Sequence, residues 1–305
     1  MKLLIFDIGS NSIRTARLTE RELGSPVISD KRVYTTRLAE GLAESRVLSD
    51  ARMRQSLFVI RSIHHDLSRL GYQSFAYATS AVRDAENGAE FACSVENILG
   101  NGHVRILSGN EEAAFAQLGA DPSGKRAIID IGGGSTQIVL SHTRESWPIG
   151  CVRAKDLAPY NDLSRIIETL RPVLSGLLHL PHTDGDTDVS SCGPVLKKNK
   201  IIPLGVGGTI SSLALLCDGK TEFCGWKGEK QIGFLDLCAV LQSLSNMGDT
   251  KRAAIPLLKD RHDVILHGGA ILLFVMEHLQ SSRIGATLSD GLDGYALHLY
   301  RSMKT

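Results

Sequence analysis

Two similar α/β domains facing each other across a cleft are the architecture that the sequence predicts, and three observations carry that prediction. The chain has 305 residues, beyond the size at which a single hydrophobic core usually keeps growing. Strand-like and helix-like patterns alternate along it with glycine turns at strand ends, an order that places ligands beside those ends. The turn Asp-Ile-Gly occurs twice, at Asp7 and at Asp130, 123 residues apart, close to one domain length. The corresponding division is 1–118 for domain I and 119–305 for domain II, with a closing helix at 291–303 free to pack back on domain I.

Each element can be justified in order. Residues 2–6 and 12–18 read as a hairpin of strands, the second of mixed polarity. From Ser49 to Gly71 the period changes: Met53, Leu57, Ile60, Ile63, Leu67 and Leu70 recur at threes and fours, a helix closed by glycine. The stretches SFAYAT and VRIL, the latter at 104–107, return to strand. In the second half, strands at 127–131 and 136–141 flank the other glycine turn and lead to WPIGCVRA at 147–154. A helix from Asp162 to about Leu180 turns Ile166, Ile167, Leu170, Leu174 and Leu178 inward, with Pro172 expected to kink it. Strand, glycine turn and helix follow in IIPLGVGGTISSLALL; Asp263–Gln280 reads as a buried helix, ATLS as a short strand, and Gly291–Met303 as the closing helix.

Composition narrows the function. With 43% hydrophobic and 22% charged residues the chain has material for real cores. A formal net charge of +1 gives no global field to recruit nucleic acid or an anionic membrane, so any anion site must be local. The segment before Asp7 is too short for the apolar region of a secretory signal, and the run Val264–Met276 is interrupted by His267 and short of a membrane span. A cytoplasmic location is the expectation. Six cysteines without a C-x-x-C pair read as reduced core residues. Asp184, Asp186 and Asp188 have calcium-loop spacing, but Val189 and Val195 stand where the loop glycine and closing glutamate belong, so a solvated loop is expected there.

The chemistry concentrates in the repeated turn. Glycine removes the side chain that blocks close approach to the backbone, so successive N–H groups can converge on one anion. Gly9, Ser10, Asn11 and Ser12 in one copy, and Gly132, Gly133, Gly134, Ser135 and Thr136 in the other, would enclose a terminal phosphate if the two turns face one cleft. Ligand-free tight hairpins are the alternative. Asp7 and Asp130 would repel phosphate unaided, and a divalent cation reconciles them; hard oxygen ligands beside polyphosphate suit Mg²⁺. Otherwise each aspartate ties down its own turn. Gly207, Gly208 and Thr209 repeat the strand, glycine and helix-start arrangement of an anion site, although glycines also permit close helix packing.

In ILSGNEEAAFAQLGA, Ser108 and Glu111 have the spacing of a capping box, which leaves Glu112 to point into the cleft and accept a proton from water. The alternative is that both glutamates only favour the helix dipole. Arg83, after a strand, could clamp phosphoryl oxygens or pair on the surface with Asp84 or Glu86.

Taken together, DIGSNSIR at 7–14, TRLAEGL at 36–42, ATSAVRDAENG at 78–88, SGNEEA at 108–113, DIGGGST at 130–136, IGCVRA at 149–154 and GVGGT at 205–209 resemble the Ppx/GppA family of exopolyphosphatases and guanosine pentaphosphate phosphohydrolases. The resemblance implies two actin-like domains of the ASKHA, ribonuclease H-like kind, in a short form without further C-terminal helical domains. It makes Glu112 the catalytic base, assigns both glycine turns and Arg83 to the phosphate cleft and Asp130 to the metal, and implies domain closure and a homodimer among the open assemblies. Two positions depart from the family pattern. Gln137 replaces the glutamate of DIGGGSTE, for an expected loss of about 10- to 100-fold if that side chain only supports the metal. LSDGLDGYAL lacks the arginine usual near Asp293.

The first expectation is therefore a Mg²⁺-dependent exopolyphosphatase in which Glu112 readies a water, with the leaving chain following Lys197, Lys198 and Lys200, or Lys251 and Arg252. Guanosine pentaphosphate is the rival substrate. A non-hydrolysing polyphosphate or guanosine tetraphosphate sensor, made plausible by Gln137, and a kinase of the same fold are the other classes. Nucleic acid and membranes are not expected partners.

Overall fold

The structure, a computed structural model, describes residues 1–21, 24–140, 143–176, 202–223, 225–226 and 228–304. The acidic trio at 184–188, the lysines at 197–200, Leu178, Cys192 and Cys224 lie outside the described residues.

The first lobe contains β1 (Lys2–Ile8), β2 (Ser12–Glu20), β3 (Pro26–Thr35), α1 (Leu42–Ser45), α2 (Asp50–Ser68), β4 (Gln73–Ala78), α3 (Ser80–Asp84), α4 (Gly88–Leu99) and β5 (Val104–Ile106), and α5 (Gly109–Ala120) leads out of it. The second contains β6 (Ile128–Ile131), β7 (Thr136–Leu140), β8 (Thr143–Trp147), α6 (Cys151–Leu157), α7 (Leu163–Gly176), β9 (Leu204–Val206), α8 (Gly207–Cys217), β10 (Lys230–Gly233), α9 (Phe234–Met247), α10 (Asp249–Ala253), α11 (Ile265–His278) and β11 (Arg283–Ala286). The chain then forms α12 (Gly291–Ser302).

The sheets run β3-β2-β1-β4-β5 and β10-β11-β9-β6-β7-β8. Five strands of the second, β8-β7-β6-β9-β11, repeat the whole of the first, antiparallel for three strands and parallel thereafter. The register repeats as well: Asp7 lies opposite Arg14, and Asp130 opposite Gln137. These are the two similar α/β lobes that the duplicated turn implied.

β1 shows why the sequence there is an unbroken apolar run. Its even side chains, Leu4, Phe6 and Ile8, join Ile60, Phe91 and Val95 on one face, while Leu3 and Ile5 meet Leu292, Tyr295 and Ala296 on the other. A strand covered on both sides has no polar face to alternate. Asp7 shares parity with Leu3 and Ile5, so it emerges on the α12 side. β6 behaves alike: Ile129 and Ile131 enter the main core of the second lobe, and Ile128 faces Ala113 and Ala116 of α5, with Asp130 on that same side.

The helices α5 and α12 cross closely. A Cβ on Gly119 would collide with the Asp290 carbonyl, and one on Gly294 with the Phe115 carbonyl, so the glycines set backbone against backbone. α5 also packs on β6, β7 and β8, whereas α12 packs on β1 and β2. The pair thus ties the lobes together and fixes the N-terminal turn of α5 above the cleft.

Several elements differ from the sequence reading. β3 escaped notice because its exposed SDKR segment carries the charge of an edge strand rather than a clean alternation. The strand near ATLS lies earlier, at Arg283–Ala286, because Gly285 pairs with Leu204 and Ala286 with Gly205; Thr287 is left at the cleft. The four described cysteines are free, but Cys93 is exposed on α4 rather than part of a core. Among the described residues no helix is long and apolar enough to cross a membrane.

Candidate active site

The two Asp-Ile-Gly turns are built alike and touch. In each, the glycine N–H closes the hairpin on a serine carbonyl three residues on, Gly9 to Ser12 at 3.1 Å and Gly132 to Ser135 at 2.9 Å. These two N–H groups are therefore engaged within their own turns and do not serve an anion, which corrects the reading of Gly9 and Gly132 as donors. Outward carbonyls are anchored too: Ser10 and Asn11 accept from Ala39, Thr36 and Arg37, while Gly132 and Gly133 accept from Cys151, Val152 and Arg153 at the start of α6. A trans peptide sets each carbonyl antiparallel to the next N–H. The N–H groups of Asn11, Gly133 and Gly134 are thereby turned the other way and make no backbone bond in the turns.

Glycine is required where the turns meet. A Cβ on Gly133 would stand 2.8 Å from Ser10 Cβ, and one on Gly134 would stand 2.8 Å from Ser10 Oγ and 2.5 Å from Ser80 Oγ. Ser10 and Ser80 are themselves within 3.2 Å through their hydroxyls. Gly150 has the same duty at α6, since its Cβ would lie 2.5 Å from the Gly132 carbonyl.

Around this contact lies a cleft of about 580 Å³. Its wall includes Asp7, Gly9, Ser10, Asn11 and Ser12 from one lobe, Asp130, Gly132, Gly133 and Ser135 from the other, Gly207, Gly208 and Thr209 from the start of α8, and Glu112. Three residues expected there are not on the wall. Thr136 is fully buried and donates to the Ile149 carbonyl at 2.6 Å, Gly134 is wedged between Ser10 and Ser80, and Arg83 lies behind Glu112.

Glu112 is presented by the capping box. Ser108 Oγ accepts from Glu111 N at 3.3 Å, and Glu111 Oε2 accepts from Ser108 N at 2.9 Å, so the first glutamate is occupied and the second faces the cleft. Burial raises the Glu112 carboxyl to about 7; Arg83 opposes the rise, and Asp7 and Asp84 add to it. Arg83 donates to Glu112 Oε1 and, at 2.8 Å, to the Leu107 carbonyl. Its Nε pairs with Asp84 at 3.3 Å, the surface partner that the sequence offered, so among the described residues the guanidinium faces Glu112 and Asp84 rather than the cleft wall.

The two aspartates differ in their partners. Asp7 accepts from Arg14 Nε at 2.8 Å and from Nη2, and Arg14 also reaches Asp290. Burial raises the Asp7 carboxyl above its ordinary value, with Arg14 opposing. Burial likewise works against ionised Asp290, but Arg14 and Lys31 outweigh it and hold that carboxyl low. In the second copy the cross-strand partner is Gln137, whose amide turns to Ser135 Oγ at 2.9 Å and Ser146 Oγ at 3.1 Å. Asp130 keeps no such partner. Burial pushes its carboxyl up to about 7, Arg14 opposes, and Asp290, Glu112 and Asp7 raise it further.

The sequence pattern of the Ppx/GppA phosphatase family matches residues 19–291. The chain belongs to the Ppx/GppA phosphatase family. It is similar to Exopolyphosphatase 2 of Mycobacterium tuberculosis, 30% identical over 251 residues that cover 73% of each chain. It is also 31% identical over 157 residues, 48% of this chain and 31% of the relative, to a guanosine-5'-triphosphate,3'-diphosphate pyrophosphatase of Vibrio cholerae. In fold it matches an exopolyphosphatase from Cytophaga hutchinsonii, with a TM-score of 0.79 at 16% identity and coverage of 99% and 98% of the two chains. The Aquifex aeolicus family member gives 0.74 at 22% identity, covering 100% and 99%.

In this Ppx/GppA chain the residues fit a Mg²⁺ site of the sparse kind. No group of three or more His, Cys, Asp or Glu able to hold a metal assembles among the described residues. Mg²⁺ often takes one or two protein carboxylates and fills the rest with water and phosphate. Asp130, on the cleft wall without an ion-pair partner among the described residues and crowded by like charges, would be the single ligand of such an ion; Asp7 already accepts from Arg14.

Four residues of the site were missed from sequence. Arg14 stands at the same offset from Asp7 as Gln137 from Asp130, so the repeat itself carried the signal. Ser80 lay inside a quoted motif. Asp290 lay inside LSDGLDGYAL, whereas Arg261 arrives from far along the chain without a local mark. Arg261 lies against Gly208, where a Cβ would collide with its guanidinium, and it makes no ion pair with a described side chain. Burial lowers its pKa, and Arg14 adds to that lowering. Lys31 donates to Asp293 and, at 2.7 Å, to the Leu288 carbonyl. Arg252, expected to guide a polyphosphate chain, is instead buried and donates to the carbonyls of Leu244 and His262 at 3.0 and 3.1 Å.

Proposed function

We propose that the chain removes the terminal phosphate of inorganic polyphosphate by hydrolysis. The observation that carries this reading is the contact of two glycine turns from different lobes on the wall of one cleft with Glu112, a carboxylate whose affinity for protons is matched to general base work near neutral pH. The N–H groups of Asn11 and Gly133, with the hydroxyls of Ser10, Ser12 and Ser135, hold the terminal phosphoryl oxygens. Glu112 takes a proton from water as its oxygen bonds to phosphorus, and the bridging P–O bond breaks. The products are orthophosphate and a chain shorter by one unit.

Arg83 keeps Glu112 aimed, and Arg261 faces charge accumulating on the phosphoryl oxygens or leaving chain. Mg²⁺ bound at Asp130 would supply neutralisation of phosphate charge. The relatives named exopolyphosphatase support the substrate choice.

The test is phosphate release from tripolyphosphate with Mg²⁺ by the parent protein and by Glu112→Gln. Release by the parent, reduced about 10²- to 10⁴-fold in the variant, is expected. A variant as active as the parent would refute the role of Glu112.

A further inference from the structure

Glu112 is held by Arg83 of the first lobe, whereas Gly133 belongs to the second, and a run of charged side chains joins the two. Arg83 stands between two carboxylates. Its Nη1 donates to Glu112 Oε1 and, at 2.8 Å, to the Leu107 carbonyl, while its Nε lies 3.3 Å from Asp84 Oδ1. The remaining oxygen of Asp84, Oδ2, accepts from Arg153 Nη2 across the lobe boundary. Arg153 is on α6, where its backbone N–H donates to the Gly133 carbonyl at 3.3 Å and its Nη1 to the Pro148 carbonyl at 3.3 Å. Its guanidinium is thereby tied to the turn that forms the second cradle.

A carboxylate with both oxygens free takes an arginine in a two-bonded fork, which is stronger and more directional than a single contact. Asp84 is the chain neighbour of Arg83 at the end of α3 and would draw its guanidinium off Glu112 in that way. Arg153 prevents this by occupying Oδ2. With side chains 26% and 33% exposed, Arg153 and Asp84 add little stability as an ion pair, so what their contact decides is where Arg83 points.

We infer that Asp84 and Arg153 are positioning residues that couple the docking of the lobes to the aim of the base: Arg83 holds Glu112 only while Arg153, carried beside the second cradle, occupies Asp84. When the lobes separate, Asp84 takes Arg83 and the base loses its holder. The inference rests on the proposed phosphate-releasing reading and adds to it a reason why hydrolysis waits for both cradles to meet.

The test compares kcat and KM for tripolyphosphate in the parent, in Arg153→Met and in the double variant Arg153→Met with Asp84→Asn. Arg153→Met should lower kcat about 10-fold, part of what a positioned base contributes, and leave KM within about twofold of the parent value. Asp84→Asn removes the rival carboxylate and should restore kcat in the double variant. A higher KM at unchanged kcat would reduce the pair to a simple latch and overturn the inference. A kcat loss that Asp84→Asn does not relieve, or no loss, would overturn it too. If the parent releases no phosphate, the hydrolytic reading fails instead. The coupling is then decided by crystal structures of the parent and Arg153→Met: Arg83 must leave Glu112 for both oxygens of Asp84 in the variant, and an Arg83 still on Glu112 there would refute it.

Discussion

Glu112 carries opposite demands of stability and reactivity, and its titration makes both measurable. Its carboxyl stands at about 7 in the folded chain against 4.5 as an ordinary carboxyl. The folded form therefore holds the proton more tightly. The stabilising difference is complete below about pH 4.5 and is lost as pH rises through 7. Glu112→Gln removes the buried charge, so its melting temperature should exceed the parent's at pH 8 and match it near pH 4. A base acts only when deprotonated, so kcat/KM of the parent should climb with pH and level off above about 7. Because Arg83 holds the carboxyl down, Arg83→Met should move that inflection to higher pH; an unmoved inflection would remove Arg83 from the account. At Gln137, replacement by Glu places a carboxylate opposite Asp130. We expect tighter Mg²⁺ dependence and about 10-fold more activity at saturating Mg²⁺, with lower stability in its absence. Activity that stays level or falls would count against a metal role at this position.

The turns act as elements because their glycines admit a neighbour as well as a ligand. Gly133→Ala forces Ser10 away from a Cβ at 2.8 Å and should reduce turnover sharply with little change in unfolding temperature, since the hairpin bond from Gly132 is untouched. Gly119→Val works at the α5–α12 crossing, where overpacking costs about 1–3 kcal/mol, and should lower both stability and activity because Glu112 rides on α5. Equal activity in either variant would contradict the geometry. At this scale much was legible. The duplicated turns, the Ser108 to Glu111 capping box and the long apolar-periodic helices follow from local chemistry. The edge strand β3 and the exact place of β11 did not, because pairing with distant strands rather than local pattern fixes them.

At the scale of the whole molecule, function depends on the lobes staying together. Arg37 bridges to Asp263 at 3.2 Å and Arg153 reaches Asp84 beside Arg83, while Lys155 meets the Asp263 carboxylate at 2.7 Å from within its own lobe. Partly exposed pairs of this kind contribute roughly 0.2–1 kcal/mol each. Asp263→Asn should therefore raise KM by about two- to fivefold and leave kcat near the parent value. The sequence declared two lobes through its repeat but not their latch, because Asp263 and Arg37 are brought together only by folding. For the same reason Arg14 was hidden: its service to Asp7 is a cross-strand contact, and its reach to Asp290 spans most of the chain.

The central claim, that two backbone cradles grip one phosphoryl group beside a waiting base, is tested most directly by a crystal structure of Glu112→Gln with Mg²⁺ and tripolyphosphate. The terminal phosphate is predicted within hydrogen-bonding distance of N–H groups from both turns, with a water between it and the residue-112 amide. A terminal phosphate bound to one lobe alone, or seated away from position 112, would contradict the account.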